Sequence, residues 1–246
     1  KKASELIREE NIPIIITTSP PHSTQLIGRK LKNLFPSINW IADFRDPWMD
    51  IFYFDQLCHS PVSRYLNRSM ERSVLLSANK VIVVSNSMRA AFIKSYSPKI
   101  AQDKITVLSN GYDEEDFKTS SVTAGDIFTI TYTGTLASNY NINALLEAAK
   151  EIKKKVEMDF RLRFIGEVCP EYQATLKSSV MSDITELIPR VGHEAVIRYL
   201  LSSHLLLLVI PKAPNNEAIL TGKIFEYMAA RKPIIGIGPV QGDAAA

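Results

Sequence analysis

The strongest constraint on the fold is an alternation of two patterns that persists along the whole chain. Short unbroken apolar runs are each followed by a stretch with helical spacing. Residues 3 to 10 read as the end of a helix, followed by an apolar strand at Ile12 to Ile16 that breaks at Ser19-Pro20-Pro21. Helical spacing over Thr24 to Leu34 places Leu26, Ile27, Leu31 and Leu34 on one side, and Asn39 to Ala42 reads as a short buried strand ending at Asp43. A helix around Val62 to Ser77, a strand over Lys80 to Val84, a helix from Asn86 to Ser95 and a strand at Ile105 to Leu108 continue the rhythm. Unbroken rather than alternating apolar strands predict parallel sheets covered on both faces.

Asn110-Gly111 closes this half, and the acidic, then Ser-, Thr- and Gly-containing stretch 111–126 reads as a connection. The pattern then restarts. Strands are expected at Ile127 to Thr133, Phe160 to Ile165, Leu205 to Ile210 and Pro233 to Ile237. Helices are expected on the face formed by Ile142, Leu145, Leu146, Ala149 and Ile152, over Ala195 to Ser202, and after Thr221. The expected architecture is α/β, with two Rossmann-like parallel-sheet domains, 1–110 and 127–246, facing a cleft. Ligands of such folds gather just after the strand C-termini.

Composition removes several function classes. The 29 basic and 26 acidic residues leave a net charge of +3 spread along the chain, too balanced for the dense basic face of a nucleic-acid protein. The two cysteines, Cys58 and Cys169, and the four histidines lie at no metal-ligand spacing, so no metal site is expected. The longest apolar run, Leu205 to Ile210, is far too short to span a bilayer.

The segment Thr221 to Gly236 carries the clearest chemistry. Thr221 or Gly222 starts a helix whose N-terminal amides favour an anion. Lys223 supplies a mobile cation for phosphate oxygens, and Glu226, three residues on, shares its face and suits a ribose diol. A solvated surface pair is the competing explanation. A P-loop is excluded, because Glu217 and Ile224 stand where Gly and a hydroxyl residue are required.

Four further loops follow expected strands. Ser19-Pro20-Pro21-His22-Ser23 presents His22 and Ser23 at a helix start, as a functional pair or as a cap beside a surface imidazole. Asp43-Phe44-Arg45-Asp46-Pro47-Trp48 alternates charges and aromatics. An Asp–Arg pair accounts for one carboxylate, while Trp48 suits stacking on a sugar or packing the loop. In Thr133-Gly134-Thr135-Leu136 a glycine allows close approach of a phosphate; Ala137 and Ser138 rule out the dinucleotide pattern. Arg190-Val191-Gly192-His193-Glu194 leads into a helix, and its backbone can border a base edge. No serine-hydrolase elbow or Cys–His pair is present.

Taken in order, Thr133-Gly134-Thr135-Leu136, Val191-Gly192-His193-Glu194 and the Gly222–Gly236 segment resemble the retaining glycosyltransferases of family 4, which have the GT-B fold. The Ser-Pro-Pro-His-Ser and Asp-Phe-Arg-Asp-Pro-Trp loops resemble the acceptor-side half of a bacterial subset. The resemblance implies metal-independent transfer, without a cofactor, from a nucleoside-diphosphate sugar to a glycan or lipid-linked acceptor. It assigns donor binding to Gly134, Thr135, Arg190, Val191, Gly222, Lys223 and Glu226. It assigns catalytic roles to His22 and Asp46, and acceptor-side roles to Ser23, Arg45 and Trp48. It also implies a cytoplasmic setting, with peripheral contact at the inner face of the membrane, and polysaccharide or glycolipid assembly. By the same comparison the chain is expected to lack an N-terminal strand and a C-terminal helix.

Two departures from the family pattern stand out. Ala218 occupies the position of the first acid in the Glu-x7-Glu spacing, with Glu217 one residue away, and Thr135 stands where an arginine is frequent. A nucleotide-sugar 2-epimerase of similar fold and a non-catalytic two-lobed sugar-binding protein are the competing functions.

Overall fold

The computed structural model describes all residues except 52, 53, 119–121 and 156–158, so part of the expected 111–126 connection lies outside the described residues. The chain divides into two compact units, Lys1–Asn110 and Gly111–Ala246.

The first unit runs α1 (Lys2–Glu9), β1 (Ile14–Ser19), α2 (Thr24–Leu34), β2 (Asn39–Phe44), α3 (Pro61–Ser77), β3 (Lys80–Val83), α4 (Asn86–Tyr96) and β4 (Ile105–Val107). Its four strands are parallel and adjacent in chain order. Successive right-handed crossovers in one direction place α2, α3 and α4 on a single face. There Trp40, Ala42, Phe44, Val81, Val83 and Ile105 pack against Val74 and Leu75 of α3 and Met88 and Phe92 of α4.

The opposite face differs from the expectation of two covered faces. Ile14 and Ile16 are 51% and 62% exposed, and Ile41 and Ile82, which share their face by register, are half-buried. The buried side of α2 also differs. Gln25, Gly28 and Leu31 face inward, whereas Ile27 and Leu34 are exposed. The cause is the Trp40 indole, which lies where a Cβ on residue 28 would be and donates to Thr17 Oγ1 at 2.8 Å. Gln25 then ties the strand ends together through Thr17, Ser19 and Asp43.

The second unit begins with α5 (Glu115–Lys118), a short helix within the acidic stretch, whose Phe117 packs into a core beside Ile197, Leu200 and Tyr227. It continues through β5 (Phe128–Thr133), α6 (Asn143–Lys155), β6 (Phe160–Ile165), α7 (Pro170–Leu176), β7 (Thr185–Ile188), α8 (His193–Leu201), β8 (Leu205–Val209), α9 (Lys223–Ala229) and β9 (Ile234–Ile237). The parallel sheet has the order β7-β6-β5-β8-β9. The chain winds outward from β5 in one direction, then restarts at β8 on the other side. Central β8 is buried on both faces: Leu206 and Leu208 enter one core, Leu207 and Val209 the other. This accounts for its unbroken apolar run.

Candidate functional site

In a doubly wound sheet the crevice for a ligand opens where the winding reverses, here beyond the C-termini of β5 and β8. Three devices converge there. Leaving β5, the chain turns at Gly134 with φ of 104°, a conformation in which a side chain is strained. A Cβ on Gly134 would lie 2.8 Å from the Lys223 ammonium nitrogen. Gly166, with φ of 121°, supports this turn from β6, since a Cβ there would come within 2.5 Å of the Gly134 carbonyl oxygen.

α9 is fastened to β5 by Tyr227, which is fully buried and accepts the Thr133 N–H at 3.1 Å. One turn earlier on the same face, Lys223 donates to the Tyr132 hydroxyl at 3.0 Å, its nitrogen 4.4 Å from the ring centroid. Tyr132 in turn donates to the Thr135 carbonyl at 2.7 Å. Burial lowers the Lys223 ammonium from 10.5 to about 8, against the pull of Glu226. The structure therefore holds a partly desolvated cation beside a backbone stripped of side-chain bulk, an arrangement that rewards an incoming anion.

Glu226 is half-buried, and burial raises its carboxyl above the usual range, with His193 acting in the opposite direction. His193 Nδ1 lies 3.9 Å from Glu226, and its Nε2 lies 2.9 Å from Asp116 Oδ2. The turn carrying exposed Arg190 and half-buried Val191 thus reaches Glu226 through His193, with Asp116 of α5 behind it.

The expected free amides at the start of α9 are largely engaged. Lys223 N–H donates to Thr221 Oγ1, Ile224 N–H to the Thr221 carbonyl and Phe225 N–H to the Gly222 carbonyl. Charge at this point comes from the side chain of Lys223 rather than from open amides. Gly222 caps the helix with no steric demand for glycine, because a Cβ there meets nothing within 4 Å. Glu217 is exposed on a short turn.

In the first unit, the pairing of β1 with β2 sets Ser19 opposite Phe44 and so brings their following loops together. His22 Nε2 lies 3.1 Å from the Asp46 carbonyl oxygen, and its ring stacks on Trp48 at 5.4 Å. Burial lowers the imidazole, with the Asp46 carbonyl and charge opposing, and raises the Asp46 carboxyl. Of the two alternatives for Trp48, packing prevails. The side chain is 6% exposed and donates to Asn67 Oδ1 at 2.9 Å.

Asp43 and Phe44 belong to β2 rather than to the loop. Asp43 Oδ2 pairs with Arg45 at 2.9 Å, while its Oδ1 is buried without a partner among the described residues. Arg45 also donates to Asn110 Oδ1 at 3.0 Å. Ser23 is exposed at the start of α2 and makes no capping bond.

Sequence reasoning missed Tyr132, Tyr227 and Asp116. Tyr227 was within reach, four residues beyond Lys223 on the same helical face. Asp116 gives no local signal, since it meets His193 across 77 residues. Among the described residues no group of three or more His, Cys, Asp or Glu is placed to hold a metal ion, and no helix is long and apolar enough to cross a membrane.

Comparison with known proteins matches the two halves separately. Residues 1–116 match the model for Glycosyltransferase Family 4, and residues 127–244 match the model for glycosyl transferases group 1. No curated protein matches. Among solved structures, sucrose-phosphate synthase from Thermosynechococcus elongatus is similar at a TM-score of 0.65 with 17% identity, over 98% of this chain and 61% of that one. The E. coli structure titled trehalose-6-phosphate, bound with UDP-2-fluoro glucose, gives 0.64 with 12% identity, over 95% and 60%. The apo lipopolysaccharide outer core galactosyltransferase WaaB gives 0.61 with 12% identity, over 96% and 59%. The chain spans about 60% of the length of these structures. The fold is GT-B.

Proposed function

With both halves matching glycosyltransferase family models on a GT-B fold, we propose that the chain is part of a retaining glycosyltransferase that moves a sugar from a nucleoside-diphosphate sugar to a glycan or lipid-linked acceptor. The observation that carries the reading is the Lys223–Gly134 contact at the point where the winding of the second sheet reverses, with Glu226 on the same helix.

The diphosphate lies against Gly134 and Thr135, and Lys223 balances the charge that grows on the leaving phosphate as the bond from sugar C1 to oxygen breaks. Glu226 accepts hydrogen bonds from the ribose hydroxyls, and the backbone of Arg190 and Val191 borders the base. Gly222 starts the helix that carries both charged side chains. The acceptor hydroxyl oxygen bonds to C1 on the face the diphosphate leaves, and its proton passes to the departing phosphate. No protein nucleophile is assigned, and the charge balance by Lys223 supports chemistry without a metal. From the first unit, His22 and Asp46 are assigned to the reacting groups, and Ser23 and Arg45 to the acceptor side. The proposed setting is bacterial polysaccharide or glycolipid assembly in the cytoplasm, at the inner membrane face.

Product analysis tests this. Incubation with a nucleoside-diphosphate sugar and an acceptor, read by the anomeric proton signal, is expected to show acceptor-dependent release of diphosphate with the sugar configuration unchanged. Lys223→Met should lower the rate by roughly 10²- to 10³-fold, the usual effect of removing one stabilising donor. A 2-epimer formed without acceptor would replace this reading with the epimerase one.

A further inference from the structure

The first unit holds a cavity that the transfer reading does not use. It measures about 360 Å³ and opens between the middle of α3 and the end of α4, lined by Arg68, Arg72 and Lys99 together with the hydroxyls of Ser69, Ser95 and Ser97. None of the three cations makes an ion pair among the described residues. Tyr96 also lines the cavity. Its hydroxyl donates to the buried Glu71, which also accepts the Met49 N–H at 3.1 Å. Three unpaired cations and three hydroxyls that can each donate surround one hollow whose lining carries no carboxylate, the complement of a phosphate group.

The position separates this site from the strand C-termini. α4 starts just beyond β3, and residues 95–99 lie at its far end, on the way back to the start of β4. His22 and Asp46, by contrast, follow the C-terminal ends of β1 and β2.

What surrounds the cavity narrows the source of the phosphate. Tyr65, one of its lining residues, is 72% exposed; Val62 and Leu66 on the same helix are 68% and 51% exposed. Positions 62, 65, 66 and 69 form one stripe at helical spacing, so this apolar strip runs directly into the cationic hollow. Apolar side chains beside unpaired arginines on an exposed helix are the pattern of a helix that lies in a membrane interface, not of one that binds a soluble metabolite.

We propose that α3 docks on an anionic lipid surface, with a lipid phosphate held in this cavity by Arg68, Arg72 and Lys99. The second unit takes no part, so the site stands or falls independently of the donor-binding reading.

The test is co-sedimentation of the 246-residue chain with vesicles of phosphatidylcholine alone and of phosphatidylcholine mixed with phosphatidylglycerol. Binding is expected only to the mixed vesicles. Arg68→Gln with Arg72→Gln should lower the partition coefficient about thirtyfold, and Lys99→Gln alone about fivefold. Tyr65→Ser with Leu66→Ser should weaken binding as well. Lys30→Gln with Lys94→Gln removes equal charge from exposed positions outside the cavity and should leave most of the binding intact. An equal loss from that control pair would reduce the effect to net charge and overturn the site. So would binding unaffected by the arginine substitutions. Glycerol phosphate or an acidic peptide bound through Arg68 and Arg72 by a chain that ignores both vesicles would overturn the lipid assignment. All these positions are exposed, and unchanged circular dichroism confirms that each variant is folded.

Discussion

Replacing Lys223 with methionine is expected to make the ligand-free second unit more stable while disabling the proposed anion site. The displacement of the ammonium from 10.5 to about 8 corresponds to about 3 kcal/mol against the charged form. Methionine keeps the apolar stem and removes that cost, but it also loses the hydrogen bond to Tyr132 and the ring contact at 4.4 Å, together about 1–2 kcal/mol. The net gain at pH 7 is about 1–2 kcal/mol, or roughly 5 °C in Tm for a unit of this size.

The sign with pH follows from linkage. Below pH 8 the wild-type lysine is protonated in both states; between about 8 and 10.5 the unfolded chain holds a proton that the folded one has released, so wild-type stability rises with pH across that window. The advantage of the variant should therefore shrink as pH rises above 8. Calorimetric unfolding of both proteins at neutral and at alkaline pH measures this. A variant that melts below wild type at pH 7, or whose advantage grows with pH, would refute the reasoning. Binding of inorganic pyrophosphate should fall by about 10- to 100-fold in the same variant, the value of one charged hydrogen bond.

Two other perturbations follow. Gly166→Ala inserts a Cβ against the Gly134 carbonyl at a positive φ; it should cost the second unit about 2–3 kcal/mol and weaken diphosphate binding although residue 166 carries no assigned ligand contact, as thermal melts and titration would show. Tyr96→Phe removes a donor from the buried Glu71, whose carboxyl burial already raises. Because an acid with a raised folded-state pKa destabilises the fold as pH climbs through that value, the expected loss of about 1–3 kcal/mol should be larger at pH 8 than at pH 5 in denaturant titrations.

The fold was legible where apolar runs were unbroken. Leu205 to Ile210 announces a central strand because both of its faces are buried, and the helix over Thr24 to Leu34 was found with the same bounds. The signal is lost where burial is partial or polar. β7 is half-buried along its length, and α7 is only seven residues, so neither raises an apolar signal. The buried side of α2 rests on Gln25 and Gly28, which no hydrophobic pattern reveals.

The candidate site shows the same division. Lys223 and Glu226 are neighbours on one helix and could be read together, and Gly134 was visible as a glycine at a strand end. That the lysine lies over this glycine depends on Tyr227 anchoring α9 to β5, a contact between residues 94 apart. The engaged amides at the start of α9 likewise depend on local turn geometry rather than on residue type. Asp116 stands in an acidic stretch that reads as a connection, and only folding brings it to His193.

The central claim is that Lys223 serves the phosphates and Glu226 the ribose of one nucleoside diphosphate. Calorimetric titration of UDP, GDP, dTDP, ADP and inorganic pyrophosphate into wild type, Lys223→Met and Glu226→Gln, without magnesium, tests it most directly. One nucleoside diphosphate is expected to bind wild type; Lys223→Met should weaken it and pyrophosphate alike, and Glu226→Gln should weaken the nucleotide by about tenfold while leaving pyrophosphate unchanged. A folded wild-type chain that binds none of the diphosphates, or one in which both substitutions leave the nucleotide affinity intact, would contradict it.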